Sequence, residues 1–249
     1  VAAVSTGTQV TQIVTSLVTG LTLGSTVIIG QYTGQGEYGK VKRAIGTTLT
    51  VFACVALALT AGMLAVLRPL LRLLQTPQPA FELAVQYVTV CMLGNLFICG
   101  YNAISAVLRG WGDSRRPMWF VGIACAINIV LDVVFVRFLG LDVAGTALAT
   151  VISQGVSMAL AVVYLRRHHF LFDFRLPSFL PYKHMLKKLA VVGIPISFQE
   201  LMVRISFLYL AAVMNRCGVY AASVVGISSK YDVFAMLSAT SMASALAAL

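Results

Sequence analysis

Long apolar stretches alternate with short polar connections along the whole chain, at 4–30, 44–67, 85–108, 117–136, 143–165, 189–214 and 219–249. A helix needs about 20 mostly apolar residues to cross about 30 Å of hydrocarbon, and each stretch meets that length. The pattern therefore predicts an all-α, polytopic membrane helix bundle with seven spanning helices. Gly and Pro interrupt the stretches, as membrane helices tolerate. The first stretch begins almost at Val1 with no targeting segment before it, and Ala243 to Leu249 is still apolar. Both ends read as cut, so the expectation is a fragment of a longer protein.

Composition supports the membrane reading and removes others. The 249 residues are 59% hydrophobic and only 10% charged, against roughly 25% charged in soluble domains. A net charge of +10 would suggest a nucleic-acid partner in a soluble chain. Here the basic residues follow topology instead. The connections after the first, third and fifth stretches hold twelve of the eighteen Lys and Arg, from Lys40 to Lys188, while the opposite connections hold Arg68, Arg72, Arg137 and Arg216. Arg204 and Lys230 lie inside stretches. The positive-inside rule puts the twelve in the cytoplasm, so Val1 begins outside and no nucleic acid is expected. Cys54, Cys91, Cys99, Cys125 and Cys217 lack metal-ligand spacing and read as small apolar fillers.

Several connections carry their own signals. Gly34-Gln-Gly36-Glu-Tyr-Gly39 matches GxGxxG, but a dinucleotide site needs a preceding strand, and a spanning helix precedes this one. Residues 68–82 read as an amphipathic outer connection lying along the interface. Residues 109–117 form a tight cytoplasmic turn, with Pro117 suited to a helix start. His168, His169 and His184 fall in the basic loop 166–188 and read as solvated. That loop, with Pro177 and Pro181, reads as a cytoplasmic linker between two membrane halves. It divides an amino-terminal lobe (1–165), lacking one helix, from the truncated start of a carboxy-terminal lobe (189–249). Laying 220–249 on 1–30 gives five identities, including Gly7/Gly226 and Val14/Val233. The weak match is that of a parallel internal repeat.

The chemistry concentrates in a few polar residues. Asp132 lies in an apolar run from Met118 to Val136, where a carboxylate costs about 2.5–3.5 kcal/mol on insertion scales. Asn128, four residues earlier, shares its helix face. The bland alternative is a polar pair that glues two helices. The functional alternative is a cation or proton site. Counting from the outer ends of their stretches, Thr150 and Tyr87 reach a similar depth. Their bland readings are back-bonding for Thr150 and an interfacial anchor for Tyr87. Carboxylate, amide and hydroxyl oxygens suit a hard cation. Glu200 and Arg204 are spaced i,i+4 and read first as a self-neutralising pair, or else, with Gln199, as part of the wall of a substrate cavity. Lys230 and Asp232 read as snorkelling or paired. Gly145, Ala147 and Ala149 offer a small-residue packing face. Walker A, GxSxG and HExxH patterns are absent, so no enzyme is expected.

Five stretches then carry a family resemblance: GLTLGSTVIIGQYTGQGEYGKVKRAIGT (20–47), VLRGWGDSRRPM (107–118), INIVLDVVFV (127–136), VAGTALATVISQ (143–154) and VGIPISFQE (192–200). Their order and spacing resemble the MATE multidrug and toxic-compound efflux transporters. The resemblance implies two pseudo-symmetric six-helix lobes, of which helices 2 to 8 are present here. It implies exchange of drugs, often organic cations, for Na+ or H+, with no cofactor. It also implies a cation site of an acidic residue on helix 1, Asn and Asp on helix 5 and Thr on helix 6. Asn128, Asp132 and Thr150 match the last three and are the metal ligands if the ion is Na+; Tyr87 matches a tyrosine near that site. Some members use an acidic residue on helix 7, but the offset of Glu200 from Pro195 differs, so that role is not carried over.

The resulting expectation is a monomeric secondary antiporter in a plasma membrane, the bacterial inner membrane in particular, with the lipid bilayer and small organic molecules as its partners. The rivals are a lipid-linked oligosaccharide flippase and a non-transporting membrane scaffold. A flippase needs a strongly cationic cavity, and only Arg204 and Lys230 are basic residues inside stretches. In a scaffold, Asp132 would be dispensable.

Overall fold

The computed structural model describes residues 2–73, 78–167 and 176–216, with a few positions between 231 and 242. Most of the seventh stretch, the repeat partner of residues 1–30, and Lys230, Asp232, His168 and His169 thus lie outside the described residues. Seven α-helices follow in order: α1 (Ala2–Gly34), α2 (Tyr38–Leu73), α3 (Gln78–Leu93), α4 (Asn95–Gly110), α5 (Arg115–Val133), α6 (Asp142–Arg167) and α7 (Lys183–Arg216). A π-helical turn, Val134–Phe138, extends α5. Five helices are long and apolar enough to cross a membrane, and a bent pair, Phe81–Leu93 with Asn95–Gly110, makes a sixth. The first six apolar stretches are therefore spans of an all-α membrane bundle.

Two expectations change. The third span is broken by 44° between α3 and α4. Gly94 sits at the break, where a β-carbon would collide with the side chain of Val151 on α6. The bend lets the backbone approach α6, and Asn95 anchors it. The Asn95 amide, 1% exposed, donates to Ala56 O at 3.2 Å and to Thr60 Oγ1 at 3.3 Å on α2. The outer connection is also shorter than expected, since α2 extends into it as far as Leu73 and α3 begins at Gln78. Helix α2 runs through Pro69 to Leu73, because Leu67 and Leu71 are buried against Val10, Val14, Ala84 and Val88. Arg68 and Glu82 meet at 3.4 Å across the exposed side of this corner.

The GxGxxG stretch is the turn between α1 and α2, with Gly36 at φ +71°. A helix lies on either side of it. The basic connections gather at one end of the bundle. Tyr38 packs on Trp111 at 5.8 Å, Arg43 lies over the Tyr182 ring at 4.7 Å, and Lys188 donates to Tyr32 at 2.7 Å. His184 is exposed there. Cys91 and Cys99 are buried fillers as expected, but Cys54 and Cys125 are exposed on the bundle surface.

Helices α1 and α7 cross almost backbone to backbone. Added β-carbons would collide with the Ser197 backbone at Gly20 and lie 2.9 Å from the Gly193 Cα at Gly24. Ser197 Oγ donates to Leu17 O at 2.8 Å. Small residues four apart on both helices permit this approach.

Candidate functional site

Helix α5 is mostly lipid-like on its surface. Ile129 and Val130 are each 61% exposed, whereas Ala124 is buried and Asn128 and Asp132 are half-buried. Those three fall at i, i+4 and i+8, so they share the inward face. Asn128 Nδ2 and Asp132 Oδ1 are buried without a hydrogen-bond partner. Buried polar atoms normally find partners, and an orphaned carboxylate oxygen in an apolar setting is costly. Ser157 Oγ on α6 is also unpartnered, but a single hydroxyl carries a smaller penalty than a carboxylate beside an amide.

Tyr87 comes from α3. Its ring sits in the core with Val10 and Val14 of α1, Leu71 of α2 and Ala147 of α6. A β-carbon at Gly7 would lie 2.5 Å from the ring, and the hydroxyl lies 3.4 Å from Thr8 Oγ1. Tyr87 is therefore a core residue, 7% exposed, and not an interfacial anchor. Thr150 is half-buried and donates to Thr146 O at 2.9 Å. Its proton is thus used within its own helix, while its lone pairs stay available. Helix α6 packs against both α3 and α5, which joins the elements carrying the four residues. Close packing comes from Gly145, Ala147 and Ala149, all buried. An added β-carbon at Gly145 would lie 3.0 Å from Phe135 Cβ.

The second group stands apart on α7. Gln199 lines a shallow cleft of about 460 Å3 whose other walls include Phe198, Met202 and Phe207. Glu200 and Arg204 do not line it. Among the described residues no ion pair within 4.0 Å joins Glu200 to Arg204, which corrects the expected self-neutralised pair. Arg204 is exposed and Glu200 half-buried on the same helix. The sequence reading missed Thr8 and Gly7, which meet Tyr87 from α1. It also missed the Gly20/Gly24 and Gly193/Ser197 spacings, whose small-xxx-small signal was available.

Oxygen donors of this kind take hard cations, and the same carboxylate can take a proton. Comparison with known proteins agrees with the fold and the order of these elements. The MatE family model matches residues 1–134. The probable multidrug resistance protein YpnP of Bacillus subtilis is 29% identical over 219 residues, covering 88% of this chain and 49% of the relative. The probable multidrug resistance protein YoeA of the same organism is 29% identical over 249 residues, covering 97% of this chain and 54% of the relative. A crystal structure of MATE in the bent conformation superposes with a TM-score of 0.91 at 27% identity, covering 98% of this chain and 55% of the other. The chain thus spans about half the length of the relatives it matches. From a family match over more than half its residues and a fold shared along nearly all of them, the chain belongs to the MatE family of multi-pass membrane proteins.

Proposed function

We propose that this chain is part of a secondary active antiporter that exports drugs or other toxic organic compounds in exchange for Na+ or H+. Residues 1–165 belong to one lobe, 166–188 to a cytoplasmic linker, and 189–249 to the second lobe. The observation that carries the proposal is the unpartnered Asp132 Oδ1 on α5, on the same helix face as the Asn128 amide. A cation or proton there relieves the cost of the buried carboxylate. Asp132 supplies the charge, and the Asn128, Thr150 and Tyr87 oxygens complete the donor set. Binding biases the lobe between two states only through its different affinity for each. The names of the relatives, probable multidrug resistance proteins, support the export role.

Asp132→Asn removes the charge at nearly constant shape. In proteoliposomes it is expected to cut cation-driven drug export more than about tenfold, a factor equivalent to 1.4 kcal/mol. Export unchanged at equal protein level would overturn the assignment. Imposing Na+ and H+ gradients separately identifies the ion.

A further inference from the structure

At the basic end of the bundle, α5 and α6 meet through an aromatic ring. The Arg116 guanidinium lies 4.5 Å over the Tyr164 ring, and Phe120 packs on the same ring at 6.0 Å. The first turn of α5 therefore faces the last turn of α6. Each turn carries two arginines, Arg115 and Arg116 on α5 and Arg166 and Arg167 on α6, and all four are exposed. Arg167, three residues after Tyr164, shares the face of α6 that receives Arg116. Asp113 pairs with Arg116 at 2.9 Å. Among the described residues, Arg115 and Arg167 have no hydrogen-bond or ion-pair partner. Other charges at this end are engaged: Lys40 pairs with Glu37 at 2.6 Å, Lys188 donates to Tyr32, and Arg43 stacks on Tyr182. The positive-inside rule asks for basic residues on this side, but not for four arginines on one helix pair.

An apolar stripe continues from these charges into the hydrocarbon. Trp119, one turn beyond Arg115 on the same face of α5, is 67% exposed, and the exposed Ile129 and Val133 extend that face. It points away from the buried Ala124. Tryptophan at such a position sits at headgroup level. Guanidinium groups bind phosphate through paired N–H···O bonds, and arginines near the cytoplasmic leaflet attract anionic headgroups. A soluble anion would use the charges and leave the Trp119 stripe uncovered, whereas a phospholipid covers both. We infer that the cytoplasmic ends of α5 and α6 bind an anionic phospholipid, its phosphate among the arginines and its acyl chains along the Trp119 face. The site is separate from the Asn128/Asp132 pair and does not depend on the proposed transport.

Trp119 itself reports the occupant. In the full-length protein with Trp119 as its single tryptophan (Trp111→Phe among the replacements), its fluorescence is measured in vesicles of phosphatidylcholine and phosphatidylglycerol. Either one lipid or the other carries bromine, which quenches a tryptophan in contact with it. Phosphatidylglycerol is expected to win the contact at least about fivefold over phosphatidylcholine, the factor that one arginine near a charged surface supplies. Arg115→Gln with Arg167→Gln is expected to lower that preference at least about threefold. Quenching by brominated phosphatidylcholine in pure phosphatidylcholine vesicles is expected to stay the same, since Trp119 keeps its depth. Should the double variant not accumulate, Arg115→Gln alone is read in the same way. Equal quenching by the two lipids in the arginine-containing protein overturns the inference, and so does a preference that survives the glutamine substitutions. Loss of the preference on adding inorganic phosphate at matched ionic strength assigns the arginines to a soluble anion and overturns it as well.

Discussion

At the residue scale, Asn95 shows how a membrane helix accommodates a buried amide. Besides its bonds to Ala56 O and Thr60 Oγ1, its Oδ1 accepts from Cys99 Sγ at 3.7 Å, and Thr60 passes its own proton to Met92 O at 3.1 Å. The network ties α2 to both sides of the break at Gly94. Asn95→Leu is expected to destabilise the protein by about 0.6–1.7 kcal/mol, the span measured for interhelical hydrogen bonds in bilayers. Thermal unfolding in detergent checks this, and an unchanged midpoint would show that the break is held by packing alone. Asp132 and Asn128 were legible in the sequence because a carboxylate in an apolar run is expensive and conspicuous. Thr8 was not. Helix α1 also carries Thr11, Thr15, Thr19, Thr22 and Thr26, each donating to a carbonyl of its own helix. Only three-dimensional placement separates Thr8 from these back-bonded neighbours.

At the scale of elements, six spans were readable from hydropathy because their length is set by the bilayer. The break between α3 and α4 was not, since Gly94-Asn95 sits inside an otherwise continuous apolar run. What the bend accommodates there is the close approach to Val151, a partner 57 positions along the chain. The extent of α2 was misjudged for a related reason. Residues 68–82 read as an amphipathic connection, but burial of Leu67 and Leu71 carries α2 on through Pro69. The α1/α7 crossing tolerates nothing larger than hydrogen at Gly20. Gly20→Val is expected to cost about 1–3 kcal/mol through overpacking, despite valine's better helix propensity. A lowered unfolding temperature checks it; a raised one would mean that α7 moves aside freely.

At the scale of the whole molecule, hydropathy supplied the first six spans and the order in which they follow, but not their neighbours. The pairing of α1 with α7 joins Leu17 to Ser197, 180 residues apart in sequence. Gly24→Leu is expected to lower the unfolding midpoint through overpacking, because its β-carbon would lie 2.9 Å from the Gly193 Cα. Thermal unfolding in detergent reads this, and an unchanged midpoint would refute the close crossing. Helix α1 also runs unbroken for 33 residues without a proline, a rod of about 50 Å at 1.5 Å per residue. Thr8 lies twelve residues from Gly20, or about 18 Å along that rod. Pivoted at the crossing, a tilt of only about 5° sweeps Thr8 sideways by about 1.6 Å. That sweep is enough to part its hydroxyl from Tyr87, so the fit of α7 at Gly20 bears on a contact about 18 Å away.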